Sequence, residues 1–289
     1  MSQDLPFDRA LRRLRRDRAA AAGARADYLF ERAAEELVER LGLVTRPFHN
    51  ALELGCGRGW VGERLRARGI AVTALDAGSR FARAAGGVQA DEDRPPFADA
   101  AFDLVVSVGA LDSVNDLPGA LLLARRALRP DGLFLAAFAG AGSLPRLREA
   151  MAAADEAEGG AAPRIHPQID VRAAGDLLQR AGFALPVVDS ETVEVRYSGL
   201  PTLVADLRAM GATNILAGRS RTPLTRRGYA AAIAAFDAMA EADGKTRERF
   251  ELLHLLGWAP APDQPRPARR GSATASLAQV LKPPRRDPD

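Results

Sequence analysis

The chain has 289 residues, of which 47% are hydrophobic and 27% charged, and 40 Lys and Arg against 37 Asp and Glu give a net charge of +3. This composition is that of a globular protein with a sizeable core, and so small a charge gives no argument for nucleic acid as a partner. The single cysteine, Cys56, excludes an intramolecular disulfide framework, and the three histidines lack zinc-ligand spacing, so we expect no metal. No apolar run reaches the roughly 18 residues of a membrane span, and we expect a cytoplasmic protein.

Residues 1–46 have apolar side chains at helical spacing and are predicted to form an N-terminal helical segment. Six arginines crowd its first part, at Arg9, Arg12, Arg13, Arg15, Arg16 and Arg18. They indicate either a solvated helix face or a surface for an acidic partner or an anionic membrane at the periphery of the bilayer.

The most informative segment is Ala51-Leu-Glu-Leu-Gly-Cys-Gly-Arg-Gly-Trp-Val-Gly62. A short apolar strand leads into glycines at alternate positions, and a helical pattern follows. Glycines allow positive φ and close approach of a ligand to the backbone, while a helix start offers free N–H groups. The segment therefore predicts a loop that holds a nucleotide-like cofactor.

Strand and helix patterns alternate from residue 51 to 138, which predicts a parallel sheet with helices on both faces. The predicted strands are Ala51–Leu54, Ile70–Leu75, Gly87–Ala90, Phe102–Val108 and Gly132–Phe138. Further strands are predicted at Phe183–Val188, Thr192–Tyr197 and Phe250–Trp258, among helical patterns. The last 31 residues, 259–289, contain seven of the 19 prolines and are predicted to form an extended or disordered tail.

Two cofactors compete for the glycine loop. A dinucleotide fingerprint is satisfied by Gly57, Gly59 and Gly62, whereas S-adenosylmethionine (SAM) fits an acidic residue, Glu53, followed by alternate glycines. Asp76, which ends the second strand, suits the ribose of either cofactor. Glu53 favours SAM, because a carboxylate can pair with the methionine ammonium but repels a pyrophosphate.

The segment Ala90-Asp-Glu-Asp-Arg-Pro-Pro-Phe97, followed by the fourth strand, resembles the part of class I SAM-dependent methyltransferases that brackets the adenine. The resemblance implies that Asp76 accepts the ribose hydroxyls and Asp91 the adenine amino group, although both could instead cap helices. The implied cofactor-binding residues are Glu53, Gly55, Cys56, Gly57, Gly59, Asp76, Ala77, Asp91, Glu92, Ser107 and Val108. Cys56 is predicted to fill space in the loop, since no histidine is evident as its base.

A narrower resemblance rests on motifs that occur in one order along the chain. They are Phe7-Asp-Arg-Ala-Leu11, Val114-Asn-Asp-Leu-Pro118, Ala127-Leu-Arg-Pro-Asp-Gly-Leu-Phe134, Asp206-Leu-Arg-Ala-Met-Gly-Ala-Thr-Asn214, Gly257-Trp258 and Arg266-Pro-Ala-Arg-Arg-Gly-Ser-Ala-Thr274. Together they resemble the mitochondrial complex I assembly factor 5 family and its bacterial relatives. Malonyl-carrier-protein methyltransferases are more distant cousins.

This resemblance implies an α/β, Rossmann-like, seven-stranded class I fold with N-terminal helices and a helical lid inserted between the last two strands. The implied organisation is an N-terminal segment (1–46), a SAM-binding core (47–197), a lid (198–248), a last core strand (249–258) and the tail (259–289). It also implies modification of a protein side chain, an arginine of an iron–sulfur subunit of complex I, during complex I assembly. A small-molecule or carrier-protein methyltransferase and a non-catalytic SAM-binding chaperone remain alternatives.

The chain departs from that family at two places near the expected active-site mouth. Leu111-Asp-Ser113 stands where relatives carry Leu-His-Trp, and Gly140-Ala-Gly-Ser-Leu144 stands where they carry Gly-Gly-Asp-Thr-Leu. The first change removes a possible base and an aromatic wall. We therefore consider Asp112 as a base and Tyr197, at the entrance to the lid, as a residue that orients the acceptor nitrogen. Either could also be structural.

Overall fold

The computed structural model describes residues 5–23 and 26–264. Its seven strands are β1 Asn50–Leu54, β2 Ala71–Asp76, β3 Val88–Gln89, β4 Phe102–Val108, β5 Leu128–Ala139, β6 Ala184–Tyr197 and β7 Thr246–Trp258. Its helices are α1 Arg9–Ala22, α2 Tyr28–Gly42, α3 Gly62–Arg66, α4 Ser79–Ala84, α5 Leu117–Ala127, α6 Pro145–Glu158, α7 Val171–Arg180, α8 Leu200–Ala209 and α9 Arg226–Asp237.

The strands form one sheet in the order β3-β2-β1-β4-β5-β7-β6. The first five are parallel, as the alternation of strands and helices predicts, and β7 enters antiparallel between β5 and β6. The strand order reverses between β1 and β4. Ligands of such sheets bind at the carboxyl ends of the strands near this switch point, which is where β1 runs into the glycine loop.

Alternate side chains of each strand point to opposite faces of the sheet, and helices cover both faces. On β5, Phe134, Ala136 and Phe138 pack with α5 and α7, while Leu133 and Leu135 pack on the other face with α2 and α3. Leu121 and Leu178 on the first face and Leu37 and Leu65 on the second are among the fully buried side chains. Packing on both faces holds the parallel strands in place, so that their carboxyl ends lie side by side at one edge of the sheet.

Helices α8 and α9 are inserted between β6 and β7, at the position expected for a lid. They enclose a third apolar cluster together with α6 and the overhanging ends of β6 and β7. Leu203, Ala232 and Phe236 are fully buried there, so the insertion has a core of its own.

The two strands predicted at residues 183–188 and 192–197 form one continuous strand, β6. Their separation was wrong because β7 pairs with β6 without interruption from Val187 to Tyr197, across the polar stretch that resembled a loop. A register shift lies instead between Ala184 and Val187. β7 likewise begins earlier than predicted, at Thr246, since its polar residues pair with β6.

The N-terminus is tied to both the core and the lid. Phe7 forms a β-bridge with Leu216, and its backbone N–H and C=O bond to the Asn115 side chain at 2.8 Å and 3.1 Å. The Asp8 N–H donates to the Ile215 carbonyl at 2.9 Å. Two of the motifs that carry the family resemblance therefore meet in space, and both lie next to the residues that directly follow a third, Asp206–Asn214.

No helix within residues 5–23 and 26–264 combines the length and the hydropathy that a membrane crossing requires. Most of the predicted tail, including its Arg266–Thr274 motif, lies outside the described residues.

A buried histidine lies in the centre of β7. His254 is 1% exposed, and neither of its ring nitrogens has a hydrogen-bond partner among the described residues. Burial lowers its pKa below 6.5, and the nearby Arg40 acts in the same direction, while Asp189, Glu36 and Glu191 oppose them. The folded protein thus binds this proton less readily than the unfolded chain does.

We predict that His254 makes the fold less stable as the pH falls from about 7 to about 5, because the unfolded histidine takes up a proton that the folded one refuses. His254→Leu should remove this loss, since leucines flank the position on β7. Free energies of unfolding from urea titrations at several pH values would measure the difference between the two proteins. His49→Gln, at an exposed histidine, should leave the pH dependence unchanged. Equal slopes for wild type and His254→Leu would contradict the prediction.

Candidate functional site

The glycine loop closes β1 onto β2. Gly55, Gly57 and Gly59 have φ values of 70°, 53° and 80°, and the N–H groups of Gly55 and Cys56 both donate to the Leu75 carbonyl, at 2.8 and 2.9 Å. A Cβ on Gly55 would lie 2.1 Å from the Ala110 Cβ, and one on Gly57 would lie 2.1 Å from the Trp60 ring. Both conformation and close packing therefore require glycine here.

Glu53 lies beneath the loop rather than in front of it. It is 3% exposed, and its Oε1 accepts a hydrogen bond from the Gly62 N–H at 2.9 Å. Burial raises its pKa to about 7. Its Oε2 has no hydrogen-bond partner among the described residues, so this carboxyl retains an acceptor that a donor group of a ligand can use.

Asp76 is the most fully bonded group of the site. It is completely buried and accepts hydrogen bonds from the backbone N–H groups of Gly57 (2.9 Å) and Gly78 (2.7 Å). The Arg16 guanidinium adds two more, at 2.7 and 2.5 Å. Burial acts to raise the pKa of Asp76, but Arg16 and the two N–H groups outweigh it and hold the pKa below its usual value. Asp76 is therefore a carboxylate.

Three acidic residues after β3 form a second row. Glu92 is fully buried and accepts from Arg12 at 2.6 Å, and Asp91 accepts from Arg13 at 2.7 Å. Asp93 accepts two hydrogen bonds from the Arg9 guanidinium, at 2.7 and 2.6 Å. Glu92 Oε1 lacks a partner among the described residues and lies 3.1 Å from the position of a Cβ on Gly55, so it faces the loop.

The alternative of a solvated arginine face on α1 was wrong for four of the six arginines. Four arginines on one face of α1 bind the acidic residues that the sequence assigned to the cofactor. Arg12 and Arg16 are buried. These four guanidinium groups are thus not available to a membrane or an acidic partner. Their spacing of i, i+3, i+4 and i+7 is the signal that could have shown a shared helix face.

The remaining predicted cofactor residues line the same region. The Ser107 hydroxyl donates to the Leu54 carbonyl at 2.8 Å, which joins β4 to β1 below the loop. The Ala77 carbonyl accepts from Gln89 at 3.2 Å, and Val108 lines a cavity next to the loop. Cys56 is buried, and burial together with the charge of Asp76 raises the pKa of its thiol. A thiol that stays protonated fits a filler rather than a nucleophile.

A cavity of about 250 Å³ lies between the sheet, α1, α2 and the lid. Its walls are mostly apolar, with contributions from Phe30, Phe138 and Phe250. Asp112 lines it, and Asp112 Oδ1 is buried without a hydrogen-bond partner among the described residues. Burial raises the pKa of Asp112, which Arg12 partly opposes.

Three further polar residues of the cavity already have partners. His166 Nε2 accepts from the Ile215 N–H at 3.1 Å, and burial lowers the pKa of His166 to about 4, so the ring is neutral near pH 7. Arg12 and Arg16 also line the cavity, but their guanidinium groups bond to Glu92 and Asp76. Asp112 is therefore the carboxylate that this cavity leaves available. Sequence reasoning missed His166, because a lone histidine outside any motif gives no signal.

Tyr197 is not among the residues that line this cavity. It is buried in the lid cluster, and its hydroxyl lies 2.7 Å from that of Tyr28, which donates to Asp206 at 3.0 Å. Burial raises the pKa of Tyr197. A catalytic role for Tyr197 stays a prediction, and these contacts favour a role in holding the lid to α2.

The residues fit SAM in their chemistry. Buried carboxylates at the ends of β2 and β3 match a ribose diol and an adenine amino group, and the unpaired oxygens of Glu53 and Glu92 flank the loop where an ammonium group would lie. The acceptors on Asp76 and Asp91 that would suit the cofactor are bonded to Arg16 and Arg13 in this structure.

Comparisons with known proteins agree with this fold. A family model described as a methyltransferase domain matches residues 52–136. Among solved structures, the YcgJ protein of Bacillus subtilis superposes with a TM-score of 0.55 at 13% identity and covers 80% of this chain and 99% of its own. A phosphoethanolamine N-methyltransferase of Haemonchus contortus, solved with S-adenosylhomocysteine, has a TM-score of 0.50 at 13% identity over 80% of this chain and 53% of its own. These likenesses confirm the predicted class I methyltransferase fold.

Relatives in sequence are closer. The mitochondrial arginine-hydroxylase NDUFAF5 of Danio rerio is 36% identical over 288 residues, which covers 96% of this chain and 89% of the relative. The Homo sapiens protein of the same name is 37% identical, over 96% and 83%. A malonyl-[acyl-carrier protein] O-methyltransferase of Laribacter hongkongensis is 34% identical, over 90% and 93%. Identity at this level along almost the whole of both chains, together with the methyltransferase fold, means that this chain belongs to the NDUFAF5 family of methyltransferase-fold proteins.

Proposed function

We propose that this protein is a SAM-dependent enzyme that modifies an arginine side chain of a respiratory complex I subunit. The observation that carries the proposal is the apolar cavity with the unpaired carboxylate of Asp112 on its wall. Arginine has a long apolar stem and a cationic head, so apolar walls suit the stem and a buried carboxylate suits the guanidinium. The names of the relatives, arginine-hydroxylases of mitochondria, point to the same side chain.

The cofactor would be held by residues of the strand ends. Asp76 would accept the ribose hydroxyls, Asp91 the adenine amino group, and the glycine loop would lie against the methionine part, with Glu53 below it. When bound, SAM supplies an electrophilic methyl group on a sulfonium. The apolar walls of the cavity exclude water from the reacting atoms, and catalysis then depends mainly on positioning.

Asp112 would act on the acceptor. In a methyl transfer, SAM would supply the methyl group and leave as S-adenosylhomocysteine, and the accepting guanidinium nitrogen would lose a proton. Asp112 would orient that nitrogen and take the proton, and its raised pKa would make it a stronger base than an exposed aspartate. In this chain Asp112 stands where the family pattern has His, and it would replace that group as the base.

Two relatives suggest other chemistry. The arginine-hydroxylases favour insertion of oxygen into the same side chain, with an external oxidant of the dioxygen class and a reductant. The malonyl-carrier relative favours methyl transfer to a carboxylate. A carboxylate substrate would be repelled by Asp112, whereas Arg12 and Arg16 are neutralised by their own partners, so the cavity favours a cation.

Incubation of the purified protein with SAM and the iron–sulfur subunits of complex I tests the proposal. Mass spectrometry of their peptides should show one modified arginine, and the mass added separates a methyl group from an oxygen atom. If the protein methylates a carboxylate on a carrier protein and no arginine is modified, the proposal is wrong. The expected cytoplasmic location stays a prediction.

We predict that Arg16→Gln binds SAM several-fold more tightly than wild type, because the competing guanidinium is gone. Asp76→Asn should bind SAM at least about tenfold more weakly, since it loses a charged acceptor of the ribose. Calorimetric titration measures both affinities. Arg16→Gln also breaks a buried ion pair and should cost about 3 kcal/mol of stability without ligand, so SAM should raise its melting temperature more than that of wild type.

Arg126→Gln provides the control for charge, because Arg126 pairs with Asp99 on the surface. It should bind SAM like wild type. Weaker binding by Arg16→Gln in a folded protein would mean that Arg16 contacts the cofactor rather than competing with it.

Asp112→Asn should lower turnover by about a hundredfold or more and leave the affinity for SAM unchanged, because Asp112 acts on the acceptor. Tyr197→Phe should keep most of the turnover and lose about 1 kcal/mol of stability with its hydrogen bond to Tyr28. Initial rates with a peptide substrate and thermal melts measure these effects. Full activity of Asp112→Asn would contradict a role as base, and full loss in a folded Tyr197→Phe would restore Tyr197 as a catalytic residue.

A further inference from the structure

Helix α1 has a second arginine face that the cofactor site does not use. Arg15 and Arg18 point toward α8, where they meet Arg208 of the lid across an open crevice of about 580 Å³. The crevice is also lined by Asp206 and Thr213. Three cations therefore converge on one surface feature, between the N-terminal helix and the insertion.

These three arginines differ from those that bind the strand ends. Arg15, Arg18 and Arg208 form no ion pair with any residue in the described ranges, whereas Arg9, Arg12, Arg13 and Arg16 each pair with a carboxylate. The acid of the crevice, Asp206, accepts the hydrogen bond of Tyr28 at 3.0 Å. Positive charge thus predominates in the crevice.

Two donors in the crevice lack acceptors. Arg15 Nε and the Thr213 hydroxyl are buried, and neither has a hydrogen-bond partner among the residues that the structure describes. Burial, and then the charges of Arg18, Arg208 and Arg219, lower the pKa of Arg15, which means that the protonated form is destabilised by its neighbours. Buried donors among like charges are stabilised when an anion accepts their hydrogen bonds.

The crevice adjoins the proposed substrate cavity. Thr213 lines both, and the lid residues that follow α8, from Met210 onward, form a wall of the cavity. An acidic group bound in the crevice would therefore be close to the side chain that enters the cavity. The crevice has a volume of about 580 Å³ and is lined by three arginines, which provides room and charge for more than one carboxylate.

We propose that the crevice between α1 and α8 binds the carboxylates of an acidic stretch that neighbours the modified residue in the protein substrate. The inference rests on the proposed function, in which the substrate is a protein. Arg15, Arg18 and Arg208 then act as a specificity site that selects the sequence around the target. Because α1 also bonds to the cofactor carboxylates, the same helix contacts both cofactor site and substrate.

Fluorescence anisotropy with two labelled peptides of equal length tests the inference. Both contain a central arginine; one carries glutamates on its flanks and the other carries glutamines at the same positions. The glutamate peptide should bind wild type at least about tenfold more tightly, and raising the salt concentration should weaken it. Arg18→Gln/Arg208→Gln should abolish that preference. Both residues are exposed and unpaired, so this variant should fold. Adding Arg15→Gln should weaken binding further.

Arg172→Gln/Arg180→Gln is the matched control, because it makes the same change of net charge at two exposed positions of α7. It should retain the preference. Equal binding of the two peptides by wild type, or an unchanged preference in Arg18→Gln/Arg208→Gln, overturns the inference. The inference is also overturned if the binding of inorganic phosphate or of anionic vesicles depends on these arginines while the binding of the glutamate peptide does not.

The readout separates this inference from the proposed function. A glutamate peptide that binds through the three arginines but is never modified leaves the inference standing and rejects the proposed activity. If wild type and variant bind and modify the peptide equally well, the proposed activity stands and the inference is rejected.

Discussion

The ion pair between Arg16 and Asp76 is the interaction on which the organisation of the site depends. It joins the N-terminal helix to the end of β2, inside the protein, where an unpaired carboxylate or guanidinium would be costly. The pairs of Arg12 with Glu92 and of Arg13 with Asp91 repeat the arrangement along one helix face. These carboxylates are also the acceptors that would suit a ribose and an adenine, so α1 is bonded to the same residues that we propose hold the cofactor.

The lid and the N-terminus form one structural unit around the cavity. Phe7 forms a β-bridge with Leu216, and its backbone N–H donates a hydrogen bond to the Asn115 side chain. The Tyr28 hydroxyl links α2 to Tyr197 and Asp206. The cavity is therefore bounded by elements that are distant in sequence and held together by a few polar contacts. Thr213 lines both this cavity and the crevice that contains Arg15, Arg18 and Arg208.

Asp112 and Ser113, which depart from the family pattern, both make identifiable contributions to the structure. Ser113, at the position of a family tryptophan, accepts from Arg12 Nε at 3.1 Å and donates to the Ala110 carbonyl at 3.0 Å. It thus helps to hold the helix that covers the strand ends. Asp112 lies on the cavity wall with a free oxygen. The segment thus places a polar group on the cavity wall and bonds to α1 through Ser113.

The sequence by itself determined the alternation of strands and helices, the glycine loop and the acidic residues at the ends of β2 and β3, because these are local signals of periodicity, turn chemistry and strand position. It also indicated the family, through motifs in a fixed order. The tertiary structure alone decided that the arginines of α1 bind those acids, that Tyr197 bonds to Tyr28, and that Asp112 faces a cavity. These contacts join residues 60 or more positions apart, as with Arg16 and Asp76. Helical spacing shows which side chains share a face, but only packing decides what that face meets.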